Sequence, residues 1–391
     1  MSEIVYVVNA EARFLAMFRD CLASAGRSWK IRCFEKPEQA IESAPIDHPE
    51  LILADQHLPG MLGTAFFQSI RDLSPGSIRM LLTDQADPKG FTYAHQHIAK
   101  PVSFPDLRAK VEKAMAAARS FRNPVVRNAV LALRSLPVLP KVYYDLLAAL
   151  GNEHGSSDDV VDLLKQDAAI CAGILRMVNS PIFAYGSDGQ SITDLLQCVT
   201  LLGTERLKGA VLSHQLLKLQ TGMPDWFFPA KLARHRWETA DLAFTYARKM
   251  ELYEAVARDA YLAGLLHDLG RLVLSTNLHE VYERICQQAI TDKKPISEAE
   301  IERLTISQAD VIGFLVSLWG MRESTAGALI YQERPWDAPN PDIQYPAIAV
   351  YLAHYTAHQQ NRSEAFEQSP LNMEFLKAQQ MDHLLPQVSK V

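Results

Sequence analysis

From residue 3 to about 118 the chain alternates short, continuously apolar runs with stretches in which apolar residues return every three or four positions. The runs EIVYVV, WKIRCF, ELILAD, IRMLLTD and HIAK predict strands, and RFLAMFRDCLASAG, GTAFFQSIRDLS and FPDLRAKVEKAMAAARS predict helices. Strands apolar on both faces, separated by helices, predict an α/β domain with a parallel, doubly wound sheet. Such a sheet carries its site at the carboxyl ends of its strands.

After RSFRNPVV the strand signal ends. VYYDLLAALGN, VVDLLKQDAAICAGILRMVN, ITDLLQCVTLLG, ERLKGAVLSHQLLKL, TADLAFTYARKM, AYLAGLLHDLGRLVLSTN and QADVIGFLVSLWG all repeat at helical spacing, with Gly, Pro or Asn between them. The pattern predicts an α/β domain over 1–120, a linker over 121–132, an all-helical domain over 133–335 and a less regular helical tail over 336–391 that packs on it.

The 391 residues, 48% of them hydrophobic, suffice for two cores. Charged residues make up 21% and sum to −6, without a basic tail or recognition helix, which argues against nucleic acid as a partner. No secretory signal or membrane-spanning run is recognisable, so a cytoplasmic protein with no membrane partner is expected. Five scattered cysteines lack CxxC spacing and suit buried, reduced thiols.

Two constellations carry chemistry. LILADQHLPGMLG ends an apolar strand on Asp55; LLTD places Thr83 at the next strand end, and HIAKP places Lys100 at the one after. A carboxylate, a hydroxyl and an ammonium gathered there suit phosphoryl transfer to Asp55, with Lys100 neutralising phosphoryl oxygens and Thr83 donating to one. In the helical half, His235 in ARHRWETADLA and the adjacent His267 and Asp268 offer imidazole and carboxylate from separate helices. Together these suit a catalytic divalent metal, or else hydrogen bonds that lock neighbouring helices.

With Asp55, Thr83 and the Lys100-Pro101 pair in this order, roughly the first 118 residues resemble the receiver domain of two-component response regulators. The resemblance implies a flavodoxin-like fold, a phosphoacceptor at Asp55, support from Thr83, Lys100 and Pro101, and a cis peptide before Pro101. Receivers hold a divalent cation through an acidic pair after the first strand. Asn9 and Ala10 stand there here, with Glu11 following, so the implied Mg²⁺ is weakly bound at best. His97 occupies the aromatic switch position, and the short span between Thr83 and Lys100 implies a truncated or missing fourth helix.

The segments LPVLPKVYYDLLAAL, DDVVDLLKQDAAICAGILRMVNSPIFAYG, SITDLLQCVTLLGTERLKGAVLS, AYLAGLLHDLGRLVL and ADVIGFLVSLWGM resemble, over roughly residues 130 to 335, the HDOD family, the HD-related output domain. That resemblance implies a helical signalling module that generally lacks a complete catalytic metal set. HD hydrolases need a histidine, the His-Asp pair and a later aspartate. His235, His267 and Asp268 fit the first three, and His354 in AVYLAHYTAH falls at the fourth. Gln308 and Tyr331-Gln332 stand where HD-GYP phosphodiesterases carry further histidines. These positions are read as vestigial, with no catalytic residue and no cofactor expected in the HDOD domain.

The expected protein is thus a bacterial two-component-type response regulator in which an atypical receiver controls a non-catalytic HDOD module acting through protein–protein interaction. Expected partners are a sensor histidine kinase or small phosphodonor, other signalling proteins and a second copy of the chain. The alternatives are a metal-dependent HD-type phosphohydrolase or cyclic dinucleotide phosphodiesterase, and a cyclic-dinucleotide-binding sensor. Trp226, Phe227 and Phe228 are a candidate docking cluster, Asn179-Ser180-Pro181 a helix stop, and Trp319 and Gly320 a packed helix end.

Overall fold

A computed structural model of the chain describes residues 3–24, 29–83, 93–120, 157–165, 194–203, 229–319, 321–361 and 370–384, with isolated positions between 130 and 211. Residues 84–92, Asn179-Ser180-Pro181, Trp226-Phe227-Phe228, Gly320 and most of 121–132 lie outside the described residues. Expectations for the fourth receiver helix, the linker and the aromatic cluster therefore fall there. The chain divides into two compact units, Met1–Val138 with Phe314–Met321, and Leu139–Gly313 with Arg322–Val391.

In the first unit, β1 (Ile4–Val8), β2 (Lys30–Phe34), β3 (Leu51–Asp55), β6 (Ile78–Thr83) and β7 (Gln96–Ala99) form one parallel sheet in the order β2-β1-β3-β6-β7. A two-stranded antiparallel ribbon of β4 (His57–Leu58) and β5 (Met61–Leu62) follows Asp55. Around the sheet run α1 (Ala12–Ala23), α2 (Pro37–Asp47), α3 (Gly63–Leu73) and α4 (Phe104–Ser120). Every residue of β3 and β6 is buried, as the unbroken apolar pattern requires of central parallel strands. The Phe104 ring lies 5.3 Å from Phe14 and 5.8 Å from Phe18, which seals α4 to α1.

Arg79 is a charged exception inside β6, and it is fully buried. Its Nε donates to Tyr93 O at 2.6 Å and its Nη2 to Leu131 O at 3.0 Å, so backbone carbonyls accept the donors that burial strips of water. The desolvation pushes its guanidinium down to about 9.

The second unit contains, among the described residues, α5 (Ser157–Lys165), α6 (Pro229–Lys249), α7 (Glu254–Leu266), α8 (Leu269–Asn277), α9 (His279–Asp292), α10 (Ile296–Leu304), α12 (Glu323–Ile330), α13 (Pro341–Asn361) and α14 (Met373–Ala378); α11 (Gln308–Leu318) begins in it. Helices α6, α7 and α13 pack on one another, and α12 packs against α7 and α13. From Asp259 to Leu266 every residue of α7 is buried, so beyond Asp259 its sequence is apolar around the whole helix rather than on one stripe. The carboxylate it carries inward, Asp259, accepts bonds from Ser324 Oγ at 2.6 Å and Thr325 Oγ1 at 3.0 Å.

Two expectations change here. The helical tail expected after residue 336 contains a more regular element than its sequence suggests: 341–361 is one helix of 21 residues, with Ala347 to Ala353 buried. AYLAGLLHDLGRLVLSTN is not one helix, because the chain steps out at His267 and Asp268 between α7 and α8. At that step the His267 carbonyl, released from any helical partner, accepts from Gln332 Nε2 at 3.1 Å.

Candidate functional site

The parallel sheet brings the carboxyl ends of β1, β3, β6 and β7 together. Asp55 ends β3 and is buried; Asn9 follows β1 and is buried; Thr83 ends β6, buried and in register with Ala99; Lys100 follows β7. The Lys100 ammonium lies 2.5 Å from Asp55 Oδ2, and Asn9 Nδ2 donates to the same oxygen at 3.1 Å. The other oxygen, Oδ1, accepts the His57 backbone N–H at 2.9 Å. The peptide before Pro101 is cis. Gly63 opens α3 against this strand end, where an added Cβ would stand 2.3 Å from the Asp55 carbonyl oxygen, so only glycine allows the approach. His97 lies in β7, buried, and desolvation pushes its imidazole down to about 3. It is therefore uncharged at neutral pH.

The fold family implies a divalent cation at this strand end, and the residues present do not fit one. Mg²⁺ asks for carboxylate oxygens in near-octahedral array. Asn9 spends its Oδ1 on the Glu11 backbone N–H at 2.8 Å and turns its amide nitrogen, a donor, toward Asp55. Ala10 has no side-chain ligand atom, and both it and Glu11 are exposed. The negative charge of Asp55 is met instead by protein donors, two on one oxygen and one on the other.

In the helical unit, His235 of α6, His267 and Asp268 at the α7–α8 step, and His354 of α13 converge. Sequence reasoning missed a fifth member, His358, which stands one turn after His354 on the same helix face. The ring centroid of His235 lies 5.2 Å from His267, 5.4 Å from His354 and 4.5 Å from His358, and that of His267 lies 4.8 Å from His354. His267 Nε2 stands 3.1 Å and His235 Nε2 3.8 Å from Asp268 Oδ2, and His354 Nε2 is 2.7 Å from His358 Nε2. The spacing of His354 and His358, i and i+4 in one apolar helix, was the signal that could have found the fifth imidazole.

Burial governs the charges. Desolvation pushes His235 down to about 4, His358 down to about 3 and His354 well below the ordinary imidazole value. Desolvation alone would raise Asp268, but His267 and Arg271 hold its carboxyl well below the usual range. Arg271 approaches Asp268 Oδ1 at 3.7 Å. Arg236, beside His235 in sequence, is fully buried with no hydrogen-bond partner for its three guanidinium nitrogens, and desolvation brings it down to about 10.

Gln308 and Gln332 bring amides, not imidazoles, to the α7–α8 step. Gln332 is committed to the His267 carbonyl. Gln308 presses its own carbonyl oxygen on Gly270, where a Cβ would be 2.0 Å away, and its backbone N–H donates to Glu300 Oε2 at 2.7 Å. Glu300 also accepts from Tyr282 Oη at 2.6 Å. At Gly270 the α7–α8 step is thus in close contact with the start of α11.

Among known proteins, the chain is 23% identical over 240 residues to an uncharacterized protein of Treponema pallidum (strain Nichols), a match covering 61% of this chain and 45% of that relative. The chain thus spans less than half of that relative's length. A crystal structure of an HDOD domain protein from Geobacter sulfurreducens, 20% identical, covers 68% of this chain and 85% of its own with a TM-score of 0.52, and shows a shared fold. A CheY-like receiver domain protein from Methanospirillum hungatei JF-1 is 21% identical, covering 30% of this chain and 95% of its own with a TM-score of 0.28. The response regulator receiver domain model matches residues 5–112, and the HDOD domain model matches residues 136–335, more than half of the chain. With its five-stranded parallel sheet preceding this helical unit, the chain belongs to the HDOD family and carries a response regulator receiver domain ahead of the HDOD domain.

Proposed function

We propose that this two-component-type signalling protein works in the cytoplasm as an adaptor: the receiver sets its state at Asp55, and the HDOD domain delivers the output by binding other signalling proteins rather than by catalysis. The observation that carries this reading is the replacement of imidazole by amide at Gln308 and Gln332, with Gln332 spent on the His267 carbonyl. Where a phosphodiesterase would need further imidazoles, one side chain holds the His267 carbonyl and the other residue's backbone is wedged on Gly270. Neither amide replaces an imidazole well as a ligand for a catalytic metal. Among the described residues no helix is long and apolar enough to cross a membrane, which is in keeping with this reading.

The receiver half follows from the donors on Asp55. A carboxylate already paired with Lys100 is poised to have its charge altered, and the lysine can shift onto a phosphoryl oxygen when one arrives. Because Asn9 replaces a ligand acid, transfer from a phosphodonor is slow. The state of Asp55 changes how well the HDOD domain binds its partner, and the partner's affinity must differ between the two states for a signal to pass.

The test pairs two assays on the full chain. Incubation with acetyl phosphate should label Asp55, slowly and with little dependence on Mg²⁺, and Asp55→Ala should remove the label. Cyclic dinucleotides supplied with zinc, manganese or iron should remain intact. Turnover abolished by His267→Ala would replace the adaptor with a phosphohydrolase, and absence of any label would leave an adaptor that signals without phosphorylation.

A further inference from the structure

Arg79 is fully buried in β6, and its guanidinium donates to three backbone carbonyls: Nε to Tyr93 at 2.6 Å, Nη1 to Ser77 at 3.3 Å and Nη2 to Leu131 at 3.0 Å. The first two acceptors precede β7 and β6 in the receiver itself. The third lies in the segment that leads out of it. Val130 and Leu131 are helical, fully buried and part of the same compact unit as Arg79, and the HDOD match begins at residue 136. His95 reaches the same residue. Burial holds its imidazole uncharged, and its Nδ1 accepts the Arg79 backbone N–H at 2.8 Å, so the ring carries its proton on Nε2 and hydrogen-bonds to the Leu131 backbone. Arg79 Nη2 and His95 Nε2, 3.0 Å apart, are thus two donors converging on one carbonyl.

This pair shares a face of the sheet with Thr83. Side chains alternate along a strand, so Arg79, Leu81 and Thr83 of β6 lie on one side, and the register sets His97 of β7 beside Leu81 and Ala99 beside Thr83. His95, whose backbone N–H donates to the Arg79 carbonyl at 2.7 Å, continues the β7 row beside Arg79. Thr83 and Arg79 are four residues apart on one strand, about 13 Å. Between them Leu81 belongs to the packed core with Phe66 and Ile70, so a displacement of the strand end is passed on rather than absorbed.

We propose that Arg79 and His95 form a latch that holds the start of the segment leading to the HDOD domain on the receiver, and that phosphorylation of Asp55 opens it. The inference rests on the reading of Asp55 as the residue that sets the receiver's state. In the triggering step a carboxylate oxygen of Asp55 bonds to the phosphorus of acetyl phosphate as its bond to the acetyl oxygen breaks, and acetate leaves with that electron pair. The Thr83 hydroxyl, drawn toward a phosphoryl oxygen, moves the end of β6 against β7. Two donors that meet at one carbonyl tolerate little displacement before both bonds weaken. Because the acceptors of Arg79 are carbonyls and not a carboxylate, the hold is a reversible one. The latch thus supplies two arrangements of one segment whose balance Asp55 can bias.

Hydrogen–deuterium exchange of the full chain, read by mass spectrometry on peptides covering 121–135, tests the latch. Arg79→Met and His95→Phe should each speed exchange of this segment at least about tenfold, while peptides of β1 and β3 exchange as in the wild type. Acetyl phosphate should speed it comparably in the wild type and not in Asp55→Ala, an arm that needs no latch variant and so holds if Arg79→Met fails to fold. Equal protection in the wild type and the two latch variants would overturn the latch. A labelled Asp55 with unchanged exchange, or no label at all, would overturn its opening by phosphorylation. A segment that responds while every partner binds equally in both states would sink the adaptor reading and leave the latch standing.

Discussion

Asn9 decides what Asp55 can hold. Its amide occupies the place where an acid would face a cation, and it donates to the acceptor oxygen. Asn9→Asp should therefore give measurable Mg²⁺ binding by calorimetry, tightened about tenfold or more over the wild type, since it converts a donor into a second carboxylate. Without cation the same variant should lose about 2 kcal/mol of stability from the like charge set beside Asp55. Equal Mg²⁺ affinity in both proteins would contradict this. Arg236 is the opposite case, a buried charge with no hydrogen-bond partner. Arg236→Met should unfold in denaturant at the same midpoint as the wild type or later, because the apolar side chain carries no desolvation cost. A loss beyond about 2 kcal/mol would show that the guanidinium is compensated. Asn9 was legible from the sequence because it departs from a fixed motif position. Arg236 was not, since a single arginine in a polar stretch of helix reads as surface until packing closes over it.

At the scale of elements, the α7–α8 step positions the cluster, and two tight contacts hold it. Gly270→Ala would drive a Cβ into the Gln308 backbone oxygen, which cannot swing aside as a side chain can. The expected cost is about 3 kcal/mol, read from urea denaturation, against about 1 kcal/mol for Gln332→Leu, which removes one hydrogen bond. Next to the step, burial pushes the Glu300 carboxyl from the ordinary 4.5 up to about 7, against the pull of Arg271, Tyr282 and the Gln308 N–H. The folded unit thus binds the proton more tightly than the unfolded chain does. The resulting stabilisation is complete below pH 4.5, declines as pH rises, and is gone above about 7, a total of about 3 kcal/mol. Glu300→Gln should flatten that decline in thermal melts between pH 5 and 8, and an unchanged slope would assign it to other groups. The step itself was hidden in AYLAGLLHDLGRLVLSTN because apolar periodicity continues through it. The carbonyl at the break is taken up by a side chain 65 positions away, Gln332, and sequence periodicity is blind to that. The long helix 341–361 was similarly obscured, since a helix buried on several sides shows no polar face and Pro346 reads as a stop.

Across the whole molecule, the parallel sheet was legible because unbroken apolar strands ending on Asp55 and Thr83 leave few alternatives, and the succession of helices after it was legible from spacing alone. The chemistry of the second half was less so. His235, His267, Asp268 and His354 were identifiable one by one, but whether four residues scattered over 120 positions meet depends on how α6, α7 and α13 cross. The structure brings them together and adds His358. The receiver offers a carboxylate tuned by protein donors, and the HDOD domain offers a buried cluster of imidazoles and one carboxylate; on the proposed reading the signal is a change in binding. The most direct measurement is a quantitative pull-down with the full chain from extracts of its own host, comparing wild type and Asp55→Ala with and without acetyl phosphate. At least one protein should be recovered with an abundance that differs about tenfold between the two forms and responds to acetyl phosphate only in the wild type. Identical recoveries of every protein under all four conditions would contradict the account.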